Sequence, residues 1–287
     1  MKLNFKQRTT LISILACWPI FGLFLSYIDI APEITGFVRF LLYALAALLL
    51  SVILNFLLQT FSPATRAQNA IMIELETNGE TQHFIELTEQ EINRLITSNK
   101  AYKFYRFFSQ YILLQADAYI MQHNPQAAIQ SINRLNLQDM QTHLKGHLSM
   151  DRFLGYFDVH MAISEELKDA ARANAVMQDA GPYLQKVNEK NIGYFIIANE
   201  IHILYFLSIG NPAKAYEYAR KYFEHSGNRF CSFLANAYSA KIFTKTGQFT
   251  DAERFLQNAS QQTTSTPNQR QILAYLREDL NRARNGF

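Results

Sequence analysis

Between residues 9 and 65 only Asp29, Glu33 and Arg39 carry charge, 3 positions in 57, and 38 of those 57 are hydrophobic. Two stretches without any charge dominate it, Thr9–Ile28 and Phe40–Thr65. Each exceeds the roughly 18–20 apolar residues that a helix needs to cross a hydrocarbon core. The sequence therefore predicts two membrane spans, at about 9–28 and 40–61, forming a transmembrane hairpin over residues 1–65. Lys2, Lys6 and Arg8 precede the first stretch, but its apolar run is long for a signal peptide and no A-x-A site follows before Asp29. Pro32 and Gly36 suit the short turn between the spans. The basic N-terminus places itself on the cytoplasmic side by the positive-inside rule. Both termini are then expected in the cytoplasm, with the chain integral to the plasma (cytoplasmic) membrane. Neither stretch carries an ionisable group at its centre, which argues against an ion pathway.

Residues 66–287 have a different composition, with 45 charges in 222 positions, 23 basic and 22 acidic. A balance so near zero gives no reason to expect nucleic acid as a partner. The two cysteines, Cys17 and Cys231, stand far apart and form no metal-binding or disulfide framework. Ile71, Ile73 and Leu75 alternate with polar neighbours, and Asn78-Gly79 is a sequence favoured in tight turns. A juxtamembrane β-hairpin is expected over 66–87, pairing 70–77 with 80–87. Thr88-x-x-Glu91 then reads as a capping box opening a helix. Beyond it, Asn124-Pro125, Gly181-Pro182, Gly210-Asn211-Pro212, Gly227 and Gly247 punctuate amphipathic stretches, predicting a helical domain over 88–287. The expected fold class is all-α apart from that hairpin.

One pattern recurs. Gly247-Gln-Phe249-Thr-Asp-Ala252-Glu-Arg-Phe255-Leu256-Gln-Asn-Ala259 repeats in outline as Gly210-Asn-Pro212-Ala-Lys-Ala215-Tyr-Glu-Tyr-Ala219-Arg-Lys-Tyr222 and as His123-Asn-Pro125-Gln-Ala-Ala128-Ile-Gln-Ser-Ile132-Asn-Arg-Leu135. A degenerate unit lies between, with Ala170 as its small residue. A small residue on a second helix lets it approach the first closely. The pattern resembles the second-helix half of a tetratricopeptide repeat. That resemblance implies an array of helical hairpins binding a peptide or protein surface in a groove lined by first helices. Carried onto this sequence, it turns Gln110, Asp117, Glu200, Lys241 and Lys245 toward the groove. The carboxylate clamp of some family members departs here, with Leu113, Ile197 and Glu200 at comparable places.

Other candidates are weaker. Lys100, Lys103 and Arg106, interleaved with Tyr102 and Tyr105, form a basic aromatic face that suits either anionic headgroups or plain solvent. His143 and His147 share a helix face at metal-ligand spacing but lack an acidic or thiol partner nearby, so no metal or cofactor is expected. No G-x-S-x-G, phosphate loop, H-E-x-x-H or dinucleotide motif occurs, and no catalysis is predicted. The expected function is that of a membrane-anchored cytoplasmic adaptor for an unidentified protein or peptide. Two alternatives remain: a helical enzyme or small-ligand or metal sensor with a pocket between helices, around His143, His147, Asp158 and His160, or an accessory subunit of a membrane complex.

Overall fold

The computed structural model describes residues 63–144, 150–188, 190–225, 227–262 and 266–286. Among them lie twelve helices and no strand: α1 (Pro63–Thr77), α2 (Gln82–Thr97), α3 (Tyr105–Met121), α4 (Pro125–Ile132), α5 (Leu137–His143), α6 (Met150–Glu166), α7 (Ala170–Leu184), α8 (Ile192–Ser208), α9 (Pro212–Glu224), α10 (Arg229–Lys245), α11 (Phe249–Gln262) and α12 (Pro267–Arg284). From Ile71 onward the chain forms one compact unit.

Local chemistry starts most of these helices. The side chains of Asn124, Asp169 and Asn211 accept the backbone N–H of Ala127, Arg172 and Lys214, and Pro125 and Pro212 occupy first-turn positions that need no donor. The residue just before each cap takes a left-handed backbone: Gly210 at φ +73°, and His123 and Lys168 at +52° and +54°. Four residues after the cap comes a fully buried alanine: Ala128, Ala173 and Ala215. Ala252 is buried likewise, four residues after Gln248. The small residue of the degenerate unit is thus Ala173, and Ala170 is exposed. The cap at Asp169 sets this register, placing Ala173 on the covered face of α7.

These alanines allow close helix pairs: α3 with α4, α6 with α7, α8 with α9, and α10 with α11. The first members also pack on one another in order, α3 on α6, α6 on α8, α8 on α10 and α10 on α12. Finally α12 packs back on α3. The inner layer therefore closes on itself, with five helices around its inward residues.

Three expectations need correction. No β-hairpin is present at 66–87, because Ile71 and Leu75 are spaced for one helix face: Ile71 is buried, Leu75 half-buried, and Ile73 is 62% exposed. Asn78-Gly79 ends α1, with the N–H groups of both residues bonding back to the Glu74 carbonyl. The next helix opens at Thr81, whose hydroxyl accepts from Phe84 N–H, and not at Thr88, whose hydroxyl donates to the Phe84 and Ile85 carbonyls within α2. As for membrane spans, no helix among the described residues is long and apolar enough to cross a bilayer. The most apolar, α8, has 17 residues and carries Asn199, Glu200 and His202. The stretches 9–28 and 40–61 lie outside the described residues.

Gly79 joins the first two helices to the last. Its φ is +83°, and a Cβ there would meet the Gln271 amide at 2.4 Å, the same amide oxygen that accepts the Glu80 N–H at 2.8 Å. Gly79→Ala is expected to destabilise the fold by about 1–3 kcal/mol. Gly155→Ala, inside α6 where an added Cβ would meet only Leu113 Cδ1 at 3.5 Å, should stabilise by about 0.5–1 kcal/mol. Denaturant unfolding of both variants checks the contrast.

Candidate functional site

Helical spacing turns at least one ionisable or hydroxyl group from each inner helix inward. Asp117 comes from α3, Asp158 from α6, Glu200 from α8, Tyr238 and Lys241 from α10, and Tyr275 from α12. Glu80 joins them from the turn between α1 and α2. Together they line a cavity of about 250 Å³. Its remaining wall is apolar, including Ile120, Leu204, Leu234, Ile272 and Leu276. Ile196, Glu200 and Leu204 show the logic, following one another at four-residue steps along a single face.

Four carboxyl groups thus share one small, poorly solvated space. Burial raises the Glu80 carboxyl well above its ordinary range, and the charge of Asp117 and a hydrogen bond between the two groups add to this. Asp117 is itself raised by burial, partly offset by that bond. Asp158 is pushed well up by burial and by the charges of Glu200 and Asp117, and its Oδ1 has no hydrogen-bond partner. Burial carries Glu200 to about 7; the Tyr238 hydroxyl, which donates to it, and Lys241 pull the other way. Desolvation and like-charge repulsion thus hold protons on this wall near neutrality.

The lysine on the wall is already engaged. Lys241 Nζ lies 2.6 Å from Glu165 Oε2, and Lys245 Nζ lies 2.8 Å from Glu165 Oε1. Burial alone would lower the Lys241 ammonium, but Glu165 and neighbouring anionic oxygens outweigh it, leaving it well above the ordinary lysine value. Lys241 also donates to the Tyr275 hydroxyl at 3.2 Å, and that hydroxyl donates to Glu166. His123 stacks on the Tyr275 ring, centroids 4.4 Å apart.

The residues singled out in the sequence fall in different places. Asp117, Glu200 and Lys241 line the cavity together. Lys245 stands behind it, on Glu165 and within 3.9 Å of Asp279. Gln110 is elsewhere, accepting from Arg152 at 2.9 Å. Lys100, Lys103 and Arg106 are exposed around the turn into α3, Lys103 resting over the Phe104 ring. His143 packs beside the Tyr102 and Tyr105 rings, and His147 lies outside the described residues. Asp158 lines the cavity, whereas His160 meets Arg172 at 2.9 Å and is driven by burial to about 4. Glu80, Tyr238 and Tyr275 escape the sequence reading, and Glu165, which beside Glu166 reads in the sequence as a solubilising surface charge, is buried. Glu80 sits in a turn where acids are ordinarily solvated.

The raised Glu200 carboxyl has a stability consequence. Unfolded, it ionises near 4.5; folded, near 7. Its contribution is complete below the unfolded value and is lost as pH rises through the folded one. Glu200→Gln keeps the shape without that loss. The variant's thermal midpoint is therefore expected to gain on the wild type between pH 5 and pH 8, by on the order of 3 kcal/mol in unfolding free energy. Parallel melts across that range measure it, and a constant difference would contradict the assignment.

Comparison with protein-family models, curated proteins and solved structures finds no match to this chain, so the chemistry of the cavity itself must carry the functional reading.

Proposed function

We propose that the chain is a binding protein whose inner cavity receives an ammonium group on an aliphatic stem. The observation that carries this reading is the convergence of Glu80, Asp117, Asp158 and Glu200 on one cavity whose described wall offers a single cation, Lys241, already held by Glu165. An incoming cation replaces the protons on these acids and matches charges that repel one another in its absence. The apolar wall at Leu204, Leu234 and Ile272 suits the methylene stem. A volume of about 250 Å³ admits a small amine or one inserted side chain and excludes a folded element.

Binding rather than catalysis is the favoured role. The described wall holds no Ser, Thr, Cys or His, its lysine is protonated and paired, and burial favours the protonated, non-nucleophilic form of its carboxyls. The ammonium group has two sources, a free aliphatic amine or a lysine side chain offered by a protein partner. The second keeps the adaptor role expected from the sequence, with the partner now specified by its chemistry.

Calorimetry of the full chain with 1,5-diaminopentane and with a lysine-containing peptide separates the sources. Saturable binding is expected, tighter at pH 8 than at pH 6 because the acids must lose protons, and weakened about tenfold or more by Asp158→Asn combined with Glu200→Gln. Binding of the diamine assigns a free amine, and binding of the peptide alone assigns a partner's lysine. Failure of both ligands, or indifference to the double substitution, would sink the proposal.

A further inference from the structure

Beside the cavity, at the corner between α3 and α4, His123 poses a separate question. Its side chain is 4% exposed, and neither ring nitrogen has a hydrogen-bond partner. A buried polar group left so normally has a ligand, water or ion to satisfy it. Carboxylates flank both nitrogens: Glu166 Oε1 lies 3.8 Å from Nδ1, and Glu278 Oε2 lies 3.8 Å from Nε2. Both distances are too long for a hydrogen bond. Asp279, one turn beyond Tyr275 on α12, completes the group, and its Oδ2 is buried with no hydrogen-bond partner. One donor atom each from His123, Glu166 and Asp279 lies within 4.8 Å of the others.

We propose that His123, Glu166 and Asp279 form a binding site for one divalent first-row transition ion of the Zn²⁺ or Mn²⁺ type. Donors about 2.0–2.2 Å from such an ion stand roughly 3–4 Å from one another, and the 3.8 Å between His123 and Glu166 fits that separation. One imidazole with two carboxylates suits Zn²⁺ or Mn²⁺ better than soft ions, which prefer sulfur. Nδ1 faces Glu166 and is the ligating nitrogen; Nε2 faces Glu278 at 3.8 Å, and a small approach on metal binding would give the carboxylate contact that fixes a ligating ring.

Charge favours the same ion. Glu165, Glu166 and Asp279 face the ammonium groups of Lys241 and Lys245, so one negative charge is left over for an incoming cation, while Glu278 is paired with Arg282. Both lysines sit on Glu165, and Lys245 approaches Asp279 only at 3.9 Å. Tyr275 supports the site from both sides, stacking on the His123 ring and donating to Glu166.

The site is independent of what fills the cavity, and its test reads metal directly. Calorimetry and elemental analysis of the full chain, stripped with chelator and titrated with Zn²⁺ and Mn²⁺, should find one ion per chain and a raised thermal midpoint. His123→Ala should weaken binding about tenfold or more and remove the thermal shift. His123→Asn, which keeps a residue tolerant of left-handed backbone, provides the same comparison if the alanine variant fails to fold. Asp279→Asn should weaken binding similarly, and His160→Ala should leave it unchanged. Absence of saturable uptake, uptake unaltered in the His123 variant that folds, or Mg²⁺ bound more tightly than Zn²⁺ would overturn the assignment.

Discussion

The buried pair between Lys241 and Glu165 ties the inner helices together. Both side chains are almost fully enclosed, at 7% and 3% exposure, and their charged atoms approach to 2.6 Å. Such a pair is tolerable only when each charge stays compensated, because leaving one partner alone costs about 3–5 kcal/mol. Lys245 provides part of that compensation, and Tyr275 links the pair to α12. Glu165 lies in the last turn of α6 and Lys241 in the second half of α10, so the pair bridges two inner helices that are not neighbours in sequence. With the lysine so engaged, the acids on the opposite wall have no fixed cation of their own. The proposed ligand chemistry follows from that division of charge.

Closure of the inner layer has the larger physical effect. In an open helical array the first helices would present their polar residues to water, and Asp117, Asp158 and Glu200 would ionise near their ordinary values. Here α12 returns to α3, and Glu80 seals one side through its N–H bond to Gln271. The same carboxyls become desolvated and mutually repulsive. In place of a broad open surface these residues line a cavity of about 250 Å³.

Much of the helical register was legible from the sequence. Asn124-Pro125 and Asn211-Pro212 announce caps and first-turn prolines, and the alanine four residues later fixes which face meets the partner helix. Asp117, Glu200 and Lys241 are picked out in the sequence by carrying the repeat frame onto it. What could not be read was decided in two places by local register and in a third by long-range partners. Ala170 and Ala173 are indistinguishable until the Asp169 cap is seen to set the register. Asn78-Gly79 suits a hairpin turn and a helix end equally, and only the buried face through Ile71 and Leu75 chooses between them. His123 resembles any surface histidine before a proline-capped helix until Glu166 and Asp279 arrive from 43 and 156 residues away in the chain.

The central claim is that closure keeps several cavity acids protonated near neutral pH. Carbon-13 NMR of the side-chain carboxyls, titrated from pH 3 to pH 9 without ligand, measures this most directly. The account predicts that Glu200 titrates close to 7 and that Glu80 and Asp158 also titrate well above ordinary carboxyl values. Ionisation of all four cavity acids below pH 5 would contradict it.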